Sequence, residues 1–133
     1  MILLDTHALI WLAIESGQLG KMSAALAHEA RNQGRLAVSA ISFRELAMIH
    51  AMKRVDLTAE PIDLCNILLR TGMIEFSIDG EIAMLAVRLE GLNKDPADRF
   101  IAATAIVKGA TLVIADAKLL QWQHSLKRHD AAK

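Results

Sequence analysis

Four short apolar runs along the chain have the pattern of buried β-strands. They are continuous rather than alternating in polarity, which is typical of strands that are covered on both faces. The runs are Ile2–Leu4, Leu36–Ser39, Met73–Phe76 and Thr111–Ile114. Strands of this kind need a layer of helices on each side of their sheet.

Apolar residues at helical spacing follow or separate these runs, with Ser, Thr or Asp as start signals and Gly as stop signals. Six helices are predicted: His7–Ile14, Ser23 to about Asn32 before Gly34, Ser42 to about Lys53, Thr58 to Arg70 with Pro61 in its first turn, Asp79 to near Gly91, and Asp95-Pro96 to Gly109.

The alternation of strands and helices predicts a three-layer α/β/α domain. Its central sheet is expected to be mostly parallel, with four or five strands. Residues 1–133 contain no repeat, low-complexity tract or linker, so we expect a single domain. From about His124 neither pattern continues, which predicts a loosely held tail.

Composition and charge narrow the function classes. Apolar residues make up 53% of 133 residues, which is enough for a substantial core. Fifteen basic residues balance fifteen acidic ones, unlike the basic footprint of a general nucleic-acid binder. A lone cysteine, Cys65, fits a reduced, cytoplasmic setting. The chain shows neither a signal peptide nor an apolar run of membrane-spanning length, so we expect no membrane contact.

The candidate chemistry lies in acidic residues that follow the predicted strands. Asp5 follows the first strand, Glu45 the second and Asp116 the fourth, while Asp95 and Asp98 open the helix before the fourth strand. Ligands of open parallel sheets bind beyond the carboxyl ends of the strands. These acids are therefore expected to meet at one edge.

Each acid also has a structural explanation. Asp5, Asp95 and Asp116 stand where helix caps are expected, and Asp98 suits the positive end of a helix dipole. Ser42 and Glu45 have the spacing of a capping box. At any single position, this structural role is the more common one.

The set of acids points to a metal ion. Four carboxylates about 5 Å apart would repel by about 3 kcal/mol per pair at an effective dielectric constant near 20. Six such pairs would rival the roughly 5–15 kcal/mol that stabilises a domain. The cluster must therefore be protonated or hold a cation, and oxygen ligands favour Mg²⁺ or Mn²⁺.

Four segments that contain these acids resemble, in order and spacing, the motifs of PIN-domain ribonucleases, and in particular VapC toxins of bacterial type II toxin–antitoxin modules. The segments are Leu3–Trp11 (LLDTHALIW), Ser39–Ala47 (SAISFRELA), Asp95–Ala105 (DPADRFIAATA) and Leu112–Asp116 (LVIAD). They span most of the chain, and four linked motifs are far more specific than one. The resemblance implies a PIN-like fold.

The resemblance also implies the site residues. Asp5, Glu45, Asp98 and Asp116 would form the acidic Mg²⁺ site, with Mn²⁺ as a substitute and Asp95 as an accessory acid. The hydroxyls of Thr6 and Ser42 would line the pocket. Two positions depart from the family pattern: Asn93 stands near a frequent His, and Ile114 replaces a Thr or Ser.

The activity implied is endonucleolytic hydrolysis of RNA, in which Asp116 or Asp98 accepts a proton from the attacking water. On this basis we expect Asp5→Asn to abolish cleavage without disturbing the fold. Candidates for phosphate contact are Arg44, Lys53, Arg54 and Arg99, although for any one of them a solvated surface charge is the more common role.

The partners implied are RNA, a cognate VapB-type antitoxin and a second copy of the chain in a homodimer. An antitoxin segment would enter a groove and bring an Arg to the acids. The candidate groove residues are Leu9, Trp11, Leu12, Met48 and Met52.

Three alternatives remain open at this point. A haloacid-dehalogenase-like phosphatase also has an Asp after its first strand, but it needs a second Asp where this chain has His7. A receiver domain gathers acids at strand ends, but Asp79 and Lys118 match its other requirements poorly. A catalytically silent PIN fold that only binds a partner would retain the same architecture.

Overall fold

The computed structural model describes residues 1–133 as five strands and seven helices. In chain order they are β1 (Ile2–Leu4), α1 (Thr6–Ala13), α2 (Lys21–Asn32), β2 (Leu36–Ser39), α3 (Ala40–Ala51), α4 (Pro61–Arg70), β3 (Ile74–Phe76), α5 (Gly80–Arg88), α6 (Pro96–Lys108), β4 (Thr111–Ile114), α7 (Ala117–Gln121) and β5 (Arg128–Asp130). The four predicted strands are confirmed, the third beginning one residue later than expected.

The sheet has the strand order β3-β2-β1-β4-β5, and every adjacent pair is parallel. In the centre, Ile2 of β1 aligns with Leu36 of β2 on one side and with Thr111 of β4 on the other. The chain thus extends the sheet from β1 in both directions. The boundary between β1 and β4 is a topological switch point, where open α/β sheets bind their ligands.

Helices cover both faces of the sheet, as the sequence predicts. Leu3 and Leu112 point to one face and pack with residues of α5, α6 and α7. Leu4 and Val113 point to the other face and pack with residues of α1, α2 and α4. Neighbouring strand residues diverge in this way because side chains alternate across a sheet. None of the helices combines the length and apolar character needed to span a membrane.

The chain end forms a strand, and the predicted loose tail from about His124 is wrong for its last residues. Residues 128–130 form β5, which pairs with β4. The backbone amide of Ala131 then donates to the carbonyl of Ile114 over 2.8 Å, and Ala131 is fully buried. This strand cannot be recognised from an apolar run. It lies at the edge of the sheet with β4 as its one neighbour, so it can consist of the polar residues Arg-His-Asp.

The position of the last residues of the chain also affects where α2 starts. Ser23 is predicted to cap this helix, but the helix begins two residues earlier, at Lys21. Ser23 is buried inside the helix, where its hydroxyl donates to the backbone carbonyl of Asp130 over 3.1 Å. Gly20 precedes the helix, because a Cβ at this position would overlap the backbone at the end of the chain.

The predicted cap of α4 is also displaced. The helix begins at Pro61 with Glu60 in the cap position, whereas the predicted cap Thr58 lies outside it with a φ of 62°. Thr58 belongs to a turn, in which its amide donates to a carboxylate oxygen of Asp56 over 2.9 Å. The carboxylate of Asp56 therefore holds this segment in a turn, and the helix begins only after it.

Candidate functional site

A cavity of about 340 Å³ opens at the carboxyl edge of the sheet, beside the switch point between β1 and β4. It brings together the four acids predicted as metal ligands and the predicted accessory acid. Its lining residues are Asp5, Thr6, His7, Trp11, Glu45, Ile49, Asp95, Ala97, Asp98, Ala115 and Asp116. Five carboxylates therefore share one cavity whose walls carry no Lys or Arg, and His7 is the one basic side chain among the lining residues.

Asp5 connects the end of β1 to the loop after β4. It is 3% exposed, and its Oδ1 accepts the amide of Ala8 over 2.9 Å at the start of α1. Its Oδ2 accepts the amides of Ala115 over 2.7 Å and Asp116 over 3.2 Å. Burial raises the pKa of Asp5, while these three amides favour its charged form. The carboxylate is therefore fixed in place and holds Asp116 beside it.

Asp98 and Asp116 form a pair of carboxyl groups. Asp98 is the third residue of α6 and is buried. Burial raises the pKa of Asp98 to about 7, with further contributions from the hydrogen bond and the charge of Asp116, while the side-chain amide of Asn93 opposes the shift. Two carboxylates in contact must share a proton or attract a cation.

Glu45 faces the cavity from α3, and its predicted capping box with Ser42 is wrong. The helix is capped by Ser39, whose hydroxyl oxygen accepts the amide of Ile41 over 3.2 Å. Glu45 therefore lies on the second turn, too far from the cap to serve it. Its Oε1 accepts a hydrogen bond from the exposed side chain of Arg44 over 3.0 Å. The helix start does not account for this acid.

A hydroxyl pair connects the two sides of the cavity. The Oγ1 atom of Thr6, next to Asp5, lies 3.1 Å from the Oγ atom of Ser42, and both side chains are buried. Thr6 lines the cavity as predicted, whereas Ser42 does not. Because Ser42 is one turn before Glu45, this contact fixes α3 relative to the start of α1.

Asp95 has a structural role that the sequence predicts. Its Oδ1 accepts the amide of Ala97 over 2.9 Å and caps α6. Asn93 supports both acids of this segment, because its Oδ1 accepts the amide of Asp95 over 2.8 Å and its Nδ2 donates to Oδ2 of Asp98 over 3.1 Å. The other departure from the family pattern, Ile114, is fully buried in β4 and does not line the cavity.

Arg99 is neither the candidate phosphate contact nor the solvated surface charge that the sequence suggests. Its guanidinium group donates to four backbone carbonyls over 2.9–3.0 Å, those of Ala86, Leu89, Leu92 and Asn93. These contacts use the donors that a phosphate would need. Arg99 instead holds the loop between α5 and α6, which carries Asn93.

Two apolar side chains, Trp11 and Ile49, complete the cavity wall. The sequence singles out Trp11 as a groove residue but misses Ile49, which was detectable four residues after Glu45 and hence on the same helix face. Leu9 lies on the core-facing side of α1 and is fully buried, so its prediction as a groove residue is wrong.

The donor set fits a hard divalent cation. It consists of carboxylate oxygens, and Mg²⁺ is usually held by one or two carboxylates together with water and phosphate oxygens. The side chains as placed bring no three His, Cys, Asp or Glu groups to ligand separation. The fit depends on the five carboxylates that share the cavity, because their mutual repulsion favours a bound cation.

Comparisons with a family model and with a known protein indicate the same family. The model of the PIN domain family matches residues 2–123. Ribonuclease VapC22 of Mycobacterium tuberculosis is 37% identical over 124 residues, which cover 92% of each chain. Neither the phosphatase nor the receiver alternative is supported by these comparisons.

Solved structures share the fold. VapBC2 from Rickettsia felis, bound to a DNA fragment from its promoter, matches with a TM-score of 0.69 and 21% identity, over 97% of this chain and 98% of that one. VapBC-1 from nontypeable Haemophilus influenzae matches with a TM-score of 0.68 and 22% identity over the whole of both chains.

Proposed function

The chain belongs to the PIN-domain family, and from this premise we propose that it is a divalent-metal-dependent endoribonuclease, the toxin of a VapBC-type toxin–antitoxin pair. The relative with the name Ribonuclease VapC22 supports the reaction class. The matched structures that contain VapB and VapC together support the pairing.

One observation carries the proposal: five carboxylates, those of Asp5, Glu45, Asp95, Asp98 and Asp116, line one cavity whose walls carry no Lys or Arg. Charged carboxylates gathered in this way oppose folding, so their presence indicates a function in which a cation relieves the repulsion. Phosphodiester hydrolysis supplies one, because it needs positive charge at the phosphate and carboxylates can hold it there as a metal ion.

Asp98 and Asp116 would hold the ion, with Asp5 and Glu45 completing the acidic surround. When bound, Mg²⁺ or Mn²⁺ supplies positive charge at the scissile phosphate and makes water easier to deprotonate. The neutral net charge of the chain is compatible with an anionic substrate, because the cation reverses the local field.

The chain itself supplies orientation and proton exchange. Three backbone amides fix the carboxylate of Asp5, so it cannot turn away from the cavity when substrate enters. Without metal, the pKa of Asp98 is raised to about 7, so this carboxyl exchanges a proton near neutral pH and would release it when a cation binds. Trp11 and Ile49 supply an apolar part of the cavity wall.

The test is cleavage of RNA by the purified chain with Mg²⁺, with Mn²⁺, and with excess EDTA. We expect cleavage with either ion and none with EDTA, and we expect Asp98→Asn to abolish it. The exposed acid Asp63 on α4 offers a matched control, Asp63→Asn, which should cleave as the wild type does. Cleavage in EDTA, or full activity of Asp98→Asn, would refute the proposal.

The antitoxin is expected to cover the acidic cavity from its apolar side. Met48 on α3 and Met52 just after it are 40% and 54% exposed, and α3 also carries the cavity residue Ile49. An apolar segment could lie here and bring an Arg to the carboxylates. Co-purification with the product of a neighbouring gene tests this, and Met52→Glu should weaken the complex without changing cleavage by the free chain.

We also propose a homodimer. Met84 and Val87 lie three residues apart on α5 and are 61% and 81% exposed, so they form an apolar patch on one helix face. A second copy of the chain would remove this patch from water. Light scattering at high concentration tests the dimer, and Val87→Glu should favour the monomer.

A further inference from the structure

A groove lies beside the acidic cavity and differs from it in charge, because it is lined by amide side chains and a lysine instead of carboxylates. Its volume is about 660 Å³, within the usual range of about 300–1,000 Å³ for ligand sites. Asn93, Lys118, Gln121 and Gln123 supply its polar lining, and no carboxylate lines it. The groove therefore offers amide donors and acceptors with one positive charge.

The groove and the cavity share a border. Asn93 lines the groove while its Nδ2 donates to Oδ2 of Asp98, which lines the cavity. On the other side, Lys118 is the second residue of α7, and its amide donates to the capping carboxylate of Asp116 over 2.8 Å. An extended polymeric ligand that reaches Asp98 and Asp116 can therefore continue directly into the groove.

Both walls of the groove are held by an arginine. Arg99 fixes the wall that carries Asn93, through its contacts with the carbonyls of residues 86–93. Arg128 fixes the opposite wall, where its guanidinium donates to carbonyls of residues 119–126, including that of Trp122 over 2.6 Å. The indole Nε1 of Trp122 then donates to the carbonyl of Glu90 over 2.8 Å, which joins the two walls.

A groove with fixed walls keeps its shape without a ligand. A ligand loses less free energy on entering such a site than on ordering a mobile one. The polar tips of Gln121 and Gln123 are exposed at the end of α7 and just after it, and they remain free to hydrogen-bond. The structure therefore combines a rigid frame with adaptable polar contacts.

We propose that this groove binds the unpaired RNA strand that flanks the scissile phosphate and so sets the sequence preference of cleavage. The inference rests on the proposed ribonuclease function and adds the substrate subsite. Gln121 and Gln123 contact base edges, and Lys118 contacts a phosphate. Side-chain amides suit base edges because they present a donor and an acceptor together, and base edges are accessible in unpaired RNA.

Binding is measured first, independently of cleavage. The Asp98→Asn chain is titrated in Mg²⁺ buffer against a fluorescein-labelled pool of random-sequence single-stranded RNA. We expect the added pair Gln121→Ala and Gln123→Ala to weaken binding about tenfold, from two lost hydrogen bonds. Lys118→Ala should lower the slope of log affinity against log salt by about 0.7, the effect of one phosphate contact on a single strand.

Matched controls are the exposed residues Gln18 and Lys127, which do not line the groove. Gln18→Ala and Lys127→Ala should change neither affinity nor salt slope. Duplex RNA is the second probe, and its affinity should not respond to loss of the two glutamines. Melting temperatures of all variants should match the parent, because each substitution shortens an exposed side chain.

Cleavage is then mapped by sequencing the products of the same RNA pool, using the chain with Asp98 intact. The double glutamine variant should lose base preference on one side of the cut only. If groove variants and controls bind and cut alike, the groove proposal is wrong. RNA binding that depends on the groove without any cleavage would support the groove and refute the ribonuclease function, and absence of RNA binding would refute both.

Discussion

The carboxylate of Asp5 accepts a hydrogen bond from the backbone amide of Asp116 over 3.2 Å, although 111 positions separate the two residues in the chain. The same Oδ2 atom accepts the amide of Ala115, and Oδ1 accepts that of Ala8. Asp5 is thus a structural acceptor for two segments as well as a site acid. The ends of β1 and β4 are held together by the side chain that the chemistry needs.

This arrangement changes the expected behaviour of Asp5→Asn. The sequence alone predicts an inactive chain with an intact fold, but an Asn side chain has one carbonyl oxygen and its NH₂ would face amide donors on one side. We expect a loss of about 1–3 kcal/mol in the free energy of unfolding, the usual cost of an unsatisfied buried group. Urea unfolding measures it, and an unchanged midpoint would contradict the hydrogen-bond assignment.

Asp98→Asn is expected to stabilise the chain, and only at higher pH. The pKa of Asp98 is about 7 in the folded chain against the usual 3.8, so the folded chain binds more protons between these values. Wild-type stability therefore falls as pH rises from about 4 to 7, by at most about 1.4 kcal/mol per pH unit, and then levels off. The variant lacks this loss, since its amide stays neutral.

Thermal melts in EDTA measure this difference. The melting temperature of Asp98→Asn should exceed that of the wild type at pH 8, and the two should converge near pH 4. Mg²⁺ should narrow the gap at pH 8, because it stabilises the wild-type chain by binding to it. A gap of equal size at both pH values would mean that Asp98 is not the titrating group.

Asp95→Ala should behave in the opposite way. Asp95 caps α6 through the amide of Ala97, so its loss should cost about 0.5–2 kcal/mol in the free energy of unfolding. We expect lower stability at pH 8 with part of the cleavage activity retained. Loss of all activity at unchanged stability would place Asp95 among the essential acids instead of at the helix start.

Most of the sheet and the converging acids could be predicted from sequence, because both depend on local patterns. Short apolar runs identify β1, β2, β3 and β4, and polar residues after parallel strands must meet at one edge. Helix starts were less accessible. Ser23 and Ser42 are good cap residues by type, but tertiary partners, the carbonyl of Asp130 and the hydroxyl of Thr6, draw them into the helix interior.

The roles of charged side chains were the least predictable part. The positive charge of Arg99 makes it a candidate for phosphate contact from sequence. Only the fold shows that its guanidinium group donates to four backbone carbonyls. β5 was missed for a related reason, since Arg128 and Asp130 read as tail residues while their backbone pairs with β4. Sequence patterns report burial, whereas these residues are held by hydrogen bonds at the edge of the core.

Arg99→Lys distinguishes a loop clamp from a phosphate contact. Lysine keeps the charge but lacks the planar fork that reaches four carbonyls. We expect a loss of about 1–3 kcal/mol in the free energy of unfolding from unsatisfied carbonyls, with no change in the salt slope of RNA binding. The exposed Arg44 provides the control, and Arg44→Lys should leave the unfolding midpoint unchanged. Unchanged stability in both variants would contradict the clamp.

Gly20→Ala tests how the chain end is held. The amide of Gly20 donates to the carbonyl of Ala131 over 2.8 Å, and a Cβ at position 20 would overlap the backbone of Ala132 and Lys133. The last residues would have to move away from α2, which we expect to cost about 1–3 kcal/mol, as in other overpacked sites.

Gly80→Ala is the matched control, because Gly80 begins α5 with nothing within 4 Å of the added Cβ and without a positive φ. This variant should be neutral or more stable by about 0.4–1 kcal/mol. Urea unfolding and hydrogen exchange at the amide of Ala131 measure the contrast, with faster exchange expected only in Gly20→Ala. If both variants exchange at the wild-type rate, the packing of β5 against the start of α2 is looser than the hydrogen bonds of Gly20 and Ser23 imply.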